Sequence, residues 1–264
     1  GCSGTDTQAP TPPRPQEYFG ASVQSLPQNV LAAAMIVRAK AYDSAYVQYS
    51  AGLAGPTVST PAIGFAGATE VRVPGLGLDT ATSYTFRVVL TLIGAADSTV
   101  DSLPFTSGAL PAWIPVIGSI GTSAEPGYLA ISLPEGVVTV DNSGKVVWYY
   151  SSPNSTLNTF QAHPSGSYSL MGAGPGQTAF QLLNPLGEQT GSLACVGRPT
   201  YFHDLLIAPG GDAWILCSET RVMDLTAVGG LAAANVIATV VQHLSPAGAL
   251  LWEWNAFDHF EITD

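Results

Sequence analysis

Apolar positions along this chain come in runs of roughly four to six residues, broken by Gly, Pro, Asn, Asp and Ser. In Thr82–Leu92, Tyr84, Phe86, Val88 and Leu90 fall on one side, and Thr85, Arg87, Val89 and Thr91 on the other. A period of two is that of a half-buried strand. Ala34–Tyr42, Ala45–Tyr49 and Glu70–Val73 read the same way, with Asp43-Ser44 as a turn between the first two. Short strands at this spacing predict a β-sandwich over residues 19–110. Ahead of it, residues 1–18 show no periodicity and carry Pro10, Pro12, Pro13 and Pro15, so they read as a flexible tether.

The Pro-punctuated stretch Leu110–Pro115 reads as a linker, after which the sequence repeats. Val138–Tyr150 is strand, Asn-Ser-Gly turn, strand. Phe180–Ser192 echoes it weakly and Val241–Trp254 strongly. A second hairpin type is shared by Ala162–Leu170 and Ala208–Leu216. Two hairpins per period of roughly 40 to 45 residues is the pattern of a propeller blade. The stretch Leu225–Thr239, with Gly229-Gly230, reads as an insertion. The expectation is an all-β chain whose residues 111–264 form about two to three blades, where a closed propeller needs at least about four. The ring would then be completed by a C-terminal remainder of the protein or by another subunit.

Composition sharpens this. Apolar residues make up 46 % and charged residues 10 % of 264, with 28 Gly and 20 Pro to supply turns. No apolar run approaches the roughly 18 residues of a membrane-crossing helix. A net charge of −11 with only 8 Lys+Arg argues against nucleic acid or an anionic membrane surface as partner. A small anion stays open only where the few arginines gather. Cys195 and Cys217 flank the stretch Pro199–Leu216; they form a disulfide in an oxidising compartment or stay as two buried thiols. Metal-ligand spacing is missing, Asp141-Asn-Ser-Gly reads as a plain turn, and there is no phosphate-cradling glycine loop, so neither metal nor cofactor is expected.

The candidate chemistry centres on His203-Asp204, which opens a strand. Neighbours in a strand point to opposite faces, which argues against a direct pair. His203 is expected on the innermost strand of its blade, facing an axial funnel as the catalytic residue, with Arg198, Tyr201, Arg221 and His259 as substrate-binding candidates. His163, in a hairpin turn, is expected in solvent, and His243 to be structural. Trp148 and Trp252, at matching repeat positions, are expected to pack between blades.

Three resemblances add to this reading. Leu76-Gly-Leu78 followed by Thr82–Val88 resembles the tyrosine corner of a fibronectin type III module, with Tyr84 buried; Val37 stands near the place of that family's tryptophan. Gly-Cys2-Ser-Gly and its polar tether resemble the mature start of a bacterial lipoprotein. That implies an exported, periplasmic or cell-surface protein acylated at Cys2, touching a membrane only through this anchor. His203-Asp204 with Gly210-Gly-Asp212, and Gly248–Phe260 with its Trp-x-Trp and Phe-Asp-His, are similar to bacterial arylsulfotransferases. That likeness implies a six-bladed propeller moving a sulfuryl group from an aryl sulfate to a phenol through a histidine. The family's arginine and nucleophilic histidine lie in a later segment. The alternative function is a non-catalytic surface or assembly module.

Overall fold

The computed structural model describes residues 16–52, 55–118, 125–152, 156–173 and 178–261. The tether and Cys2 lie outside the described residues, except that the first strand already begins at Glu17. The described residues are all-β, 55 % strand and 3 % helix. It divides into two units: Gly1–Ser25, Ala33–Gly75 and Ala81–Gly108 form the first, while Leu26–Ala32, Leu76–Thr80 and Ala109–Asp264 form the second.

The first unit contains β1 (Glu17–Ser25), β2 (Ala33–Lys40), β3 (Ser44–Ala51), β4 (Val58–Ser59), β5 (Ile63–Gly64), β6 (Glu70–Gly75), β7 (Ser83–Thr91) and β8 (Ser98–Thr106). One sheet runs β1-β2-β6; the other runs β4-β3-β7-β8, with β5 also on β3. All pairs are antiparallel. This is the strand order of a fibronectin type III-like sandwich. The period of two in β7 does what the pattern requires: Tyr84, Phe86, Val88 and Leu90 are buried. Val37 on β2 is fully buried in the same core. Tyr49 stacks on Phe86 with ring centroids 5.2 Å apart.

In the second unit, β9 (Tyr128–Leu133), β10 (Gly136–Asp141) and β11 (Val146–Ser151) form a three-stranded meander. Two four-stranded meanders follow. The first is β12 (Thr156–Ala162), β13 (Tyr168–Ala173), β14 (Phe180–Leu183) and β15 (Gln189–Leu193). The second is β16 (Thr200–Ile207), β17 (Ala213–Met223), β18 (Ala234–Leu244) and β19 (Leu250–Asn255).

The repeat seen in the sequence is a repeat of turn chemistry. Five hairpin turns share one pattern, each closing on a glycine with φ between 78° and 88°: Gly144, Gly166, Gly187, Gly211 and Gly248. Each donates its N–H three residues back, to Asp141, His163, Asn184, Ala208 and Ser245, and each of those residues in turn donates to the carbonyl just past the glycine. This is the three-residue hairpin with a left-handed third position, where a side chain would strain the backbone. Matching the turns makes β9–β11 the counterparts of β13–β15 and β17–β19.

Successive meanders pack face to face. Trp148 and Val137 meet Leu170 and Leu183, with Phe160 and Tyr168 alongside. Met171 and Phe180 meet Leu205, Ile215, Cys217, Val240 and Leu244. The far face of the first meander is also covered, by Leu31, Leu110, Trp113 and Ile114 around Tyr149. Tyr149 accepts the Val30 N–H at 2.9 Å on its hydroxyl. The expected insertion is instead an extension of the hairpin: β17 and β18 stay paired out to Met223↔Ala234, with a single 3-10 turn at Thr226–Val228.

Candidate functional site

β16 is an edge strand, and its ladder to β17 breaks between Thr200↔Cys217 and Leu205↔Ile215. Tyr201–Asp204 therefore bulge away from β17. The bulge is held from β12 of the preceding meander: Thr159 Oγ1 donates to the Phe202 carbonyl, and Gln161 Nε2 to Asp204 Oδ1 at 2.6 Å. Phe202 turns into the core, while Tyr201, His203 and Asp204 are exposed. Asp204 is thus engaged by Gln161 and does not orient His203, as strand alternation required. The His203 ring touches the Tyr201 and Phe202 rings, at 4.7 and 4.2 Å between centroids.

The arginines sit in a different group. Arg198 grips Glu253 through Nε at 3.0 Å to both oxygens and through Nη2 at 2.6 Å, and reaches Glu219 through Nη1 at 2.5 Å. Arg221 donates to the other oxygen of Glu219 at 2.6 Å, lies 3.8 Å from Asp258, and covers the Phe257 ring at 4.4 Å. Buried Gln242 donates to Glu253 at 2.7 Å and exchanges two bonds with the Val196 backbone; Asn255 donates to Glu219 at 2.5 Å. Hydrogen bonds from Arg221 and Asn255 hold the Glu219 carboxyl below its ordinary range, and Arg198 does the same for Glu253. The Arg198 guanidinium is correspondingly raised, chiefly by Glu253. Three carboxylates thus face two guanidiniums, so the positive charge that would hold a sulfate is already taken up. Among the described residues, no hydrogen bond or ring contact joins His203 or Tyr201 to this group.

His259 stacks on Trp254 with ring planes 4° apart. His243 stands between Trp214 and Trp252 in register across β17, β18 and β19, stacked on Trp214 at 4.3 Å. Its Nε2 bonds Asp212 at 2.7 Å and lowers that carboxyl. His163 departs from its expected exposure: it is 7 % exposed and bonded to Ser169 Oγ at 2.8 Å. The turn closes over the ring because Ser169, fully buried on β13, offers the polar partner that a buried imidazole needs. Cys195 and Cys217 form a disulfide with Cα atoms 6.0 Å apart.

Sequence reading named Arg198 and Arg221 but missed the acidic half of their network. Its signal was present: Glu219 continues the parity of buried Ala213, Ile215 and Cys217 on β17, and Glu253 that of buried Asn255 on β19. The described residues hold no group of three or more His, Cys, Asp or Glu placed to take a metal.

No family model matches this chain, and no curated protein matches it. Among solved structures, it is similar to the fn3 domain of human collagen alpha-1(XX) chain at 23 % identity and a TM-score of 0.27, covering 47 % of this chain and 100 % of that one. It is also similar to the FN1-FN3 domains of chicken CNTN1 at 11 % identity and a TM-score of 0.28, covering 89 % of this chain and 96 % of that one.

Proposed function

We propose that the second unit is part of a β-propeller, and that the protein is an exported sulfuryl-transfer enzyme of the arylsulfotransferase kind with His203 at its pocket. The observation that carries this is the bulge of β16. It lifts an exposed imidazole off the ladder on the first strand of a four-stranded meander, next to the first strand of the meander before it. In such a site an aryl sulfate loses its S–O(aryl) bond to a histidine nucleophile from another segment, and the departing phenolate takes a proton from His203. The sulfated nucleophile then passes its sulfuryl group to a phenol, whose proton returns to His203. Cations for the sulfonate oxygens come from elsewhere than Arg198 and Arg221, which serve the acidic network. The Cys195–Cys217 bridge agrees with an oxidising, exported location, and an acylated Cys2 would hold the protein at a membrane.

The blade reading also accounts for the open face of β16–β19. Trp148, packed on Phe160 and Tyr168 of the next meander, donates its indole N–H to the Pro185 carbonyl at 2.9 Å. Trp252 holds the matching repeat position and is 47 % exposed beside Trp214. A further meander seated there would cover both.

The test is transfer from p-nitrophenyl sulfate to phenol by the full-length protein. His203→Ala should slow it by about 10²-fold or more, the scale of a lost acid–base group. An unchanged rate removes His203 from the site. A full-length protein that transfers to no phenol favours the second reading, a non-catalytic surface module.

A further inference from the structure

The hairpin of β17 and β18 is longer than the sheet it belongs to. β16 pairs with β17 no further than Thr200↔Cys217, and β19 with β18 no further than Asn255↔Val240. β17 and β18 continue from Glu219↔Ala238 to Met223↔Ala234, and among the described residues no other strand flanks them there. The counterpart hairpin of β9 and β10 closes at once, after Leu133↔Gly136. The meander therefore does not need this arm, which projects roughly 15 Å before the tip at residues 224–233 begins.

The outside of the arm is apolar. Val222 and Ile237, on one face of the ribbon, are 69 % and 68 % exposed; at the tip Val228 is 53 % and Leu231 73 % exposed. From Leu225 to Gln242 there is no charged residue, in a chain of net charge −11. Charge returns where ribbon meets tip, at Asp224, whose carboxylate accepts the Thr226 N–H at 2.9 Å, and at the base, where Arg221 covers Phe257 near Asp258. The tip also pairs its own backbone. Leu225 donates to the Leu231 carbonyl at 2.9 Å, Val228 and Gly230 donate to the Leu225 carbonyl at 3.0 and 2.8 Å, and Gly229 donates to that of Thr226 at 3.2 Å. Backbone groups paired internally can leave water at low cost, and unpaired ones cannot. A protein groove would reward aromatic or arginine anchors, and residues 224–233 contain neither. A lipid phase needs only uncharged apolar surface over a satisfied backbone.

We propose that this hairpin is a membrane-contact arm whose tip enters the surface of a neutral, zwitterionic bilayer. Val228 and Leu231 sit among the upper acyl chains, while Asp224, Arg221 and Asp258 stay at headgroup level and limit the depth. The open edges of the ribbon also keep to the headgroups, because unpaired strand edges are not tolerated in hydrocarbon. The net charge of the chain turns anionic lipid away. The arm is independent of the sulfuryl-transfer reading, and His203→Ala leaves it unchanged.

The experiment floats the full chain with phosphatidylcholine vesicles, using Cys2→Ser so that no acyl group contributes. The protein should bind saturably, and adding phosphatidylglycerol to the vesicles should weaken binding. Val228→Asp and Leu231→Asp should each lower the partition coefficient about ten-fold or more, the scale of one large apolar side chain withdrawn from lipid, without shifting thermal unfolding. Val116→Asp, at a fully exposed valine outside the arm, should change nothing. Absence of vesicle binding overturns the proposal, as does binding that both tip variants leave intact or that phosphatidylglycerol strengthens. A dimer that Leu231→Asp dissolves, with no vesicle binding, also overturns it and makes a second copy the partner of the arm.

Discussion

The Cys195–Cys217 bridge allows its contribution to be worked out from the chain it closes. The cysteines are 22 residues apart, and the loop between them holds β16, the 208–212 turn and the start of β17. Closing a loop of that length in the unfolded chain removes entropy worth about 3 kcal/mol at 25 °C. With a urea slope of about 2 kcal/mol per M, the unfolding midpoint of the second unit should fall by about 1.5 M on reduction. The five tryptophans (113, 148, 214, 252 and 254) all belong to this unit, so their fluorescence reports its unfolding without interference from the sandwich. Cys195→Ala/Cys217→Ala should reproduce the effect without reductant. Coincident urea curves for oxidised and reduced protein would refute the reasoning. So would more than one titratable thiol when the protein is denatured without reductant.

Gln242→Leu removes the partner of the Val196 N–H and one donor to Glu253; the second unit should lose about 1–3 kcal/mol by urea unfolding, as buried groups left unpaired do. Arg198→Met should lower the midpoint more than Arg38→Met, because Arg38 and Glu70 are about half exposed while Arg198, Glu219 and Glu253 are three-quarters covered; equal midpoints would show the network to be inert. His163 gives a pH dependence: burial lowers its pKa, so the unfolded chain binds the proton first. Its contribution is complete above the unfolded value near 6.5 and is lost as pH falls through the folded pKa. Melting temperature should therefore drop between about pH 7 and 5, and His163→Gln should flatten that drop. Tyr149→Phe leaves the Val30 N–H unpaired and should cost about 1–3 kcal/mol; a melting temperature equal to the parent's would count against that bond.

Features that depend on neighbours along the chain could be read directly from the residues. The alternation in Thr82–Leu92 specified β7 and its buried face, because side-chain direction in a strand has a period of two. The recurring glycines at 144, 166, 187, 211 and 248 marked five hairpins, because only a residue tolerant of positive φ fits the third turn position. The adjacency of His203 and Asp204 in a strand argued against a direct pair, and Asp204 bonds Gln161. Pairing across distant segments was another matter. Arg198, Glu219 and Glu253 meet because β17, β18 and β19 lie in register, and no local pattern carries that register. The burial of His163 depends on Ser169 facing it across a turn, and the disulfide on the way residue 195 comes back to β17. The aromatic cluster arises only where two meanders stack, joining Trp148 to Phe160 and Tyr168. Such contacts follow from how sheets pack, and side chains brought together by packing leave no period in the sequence.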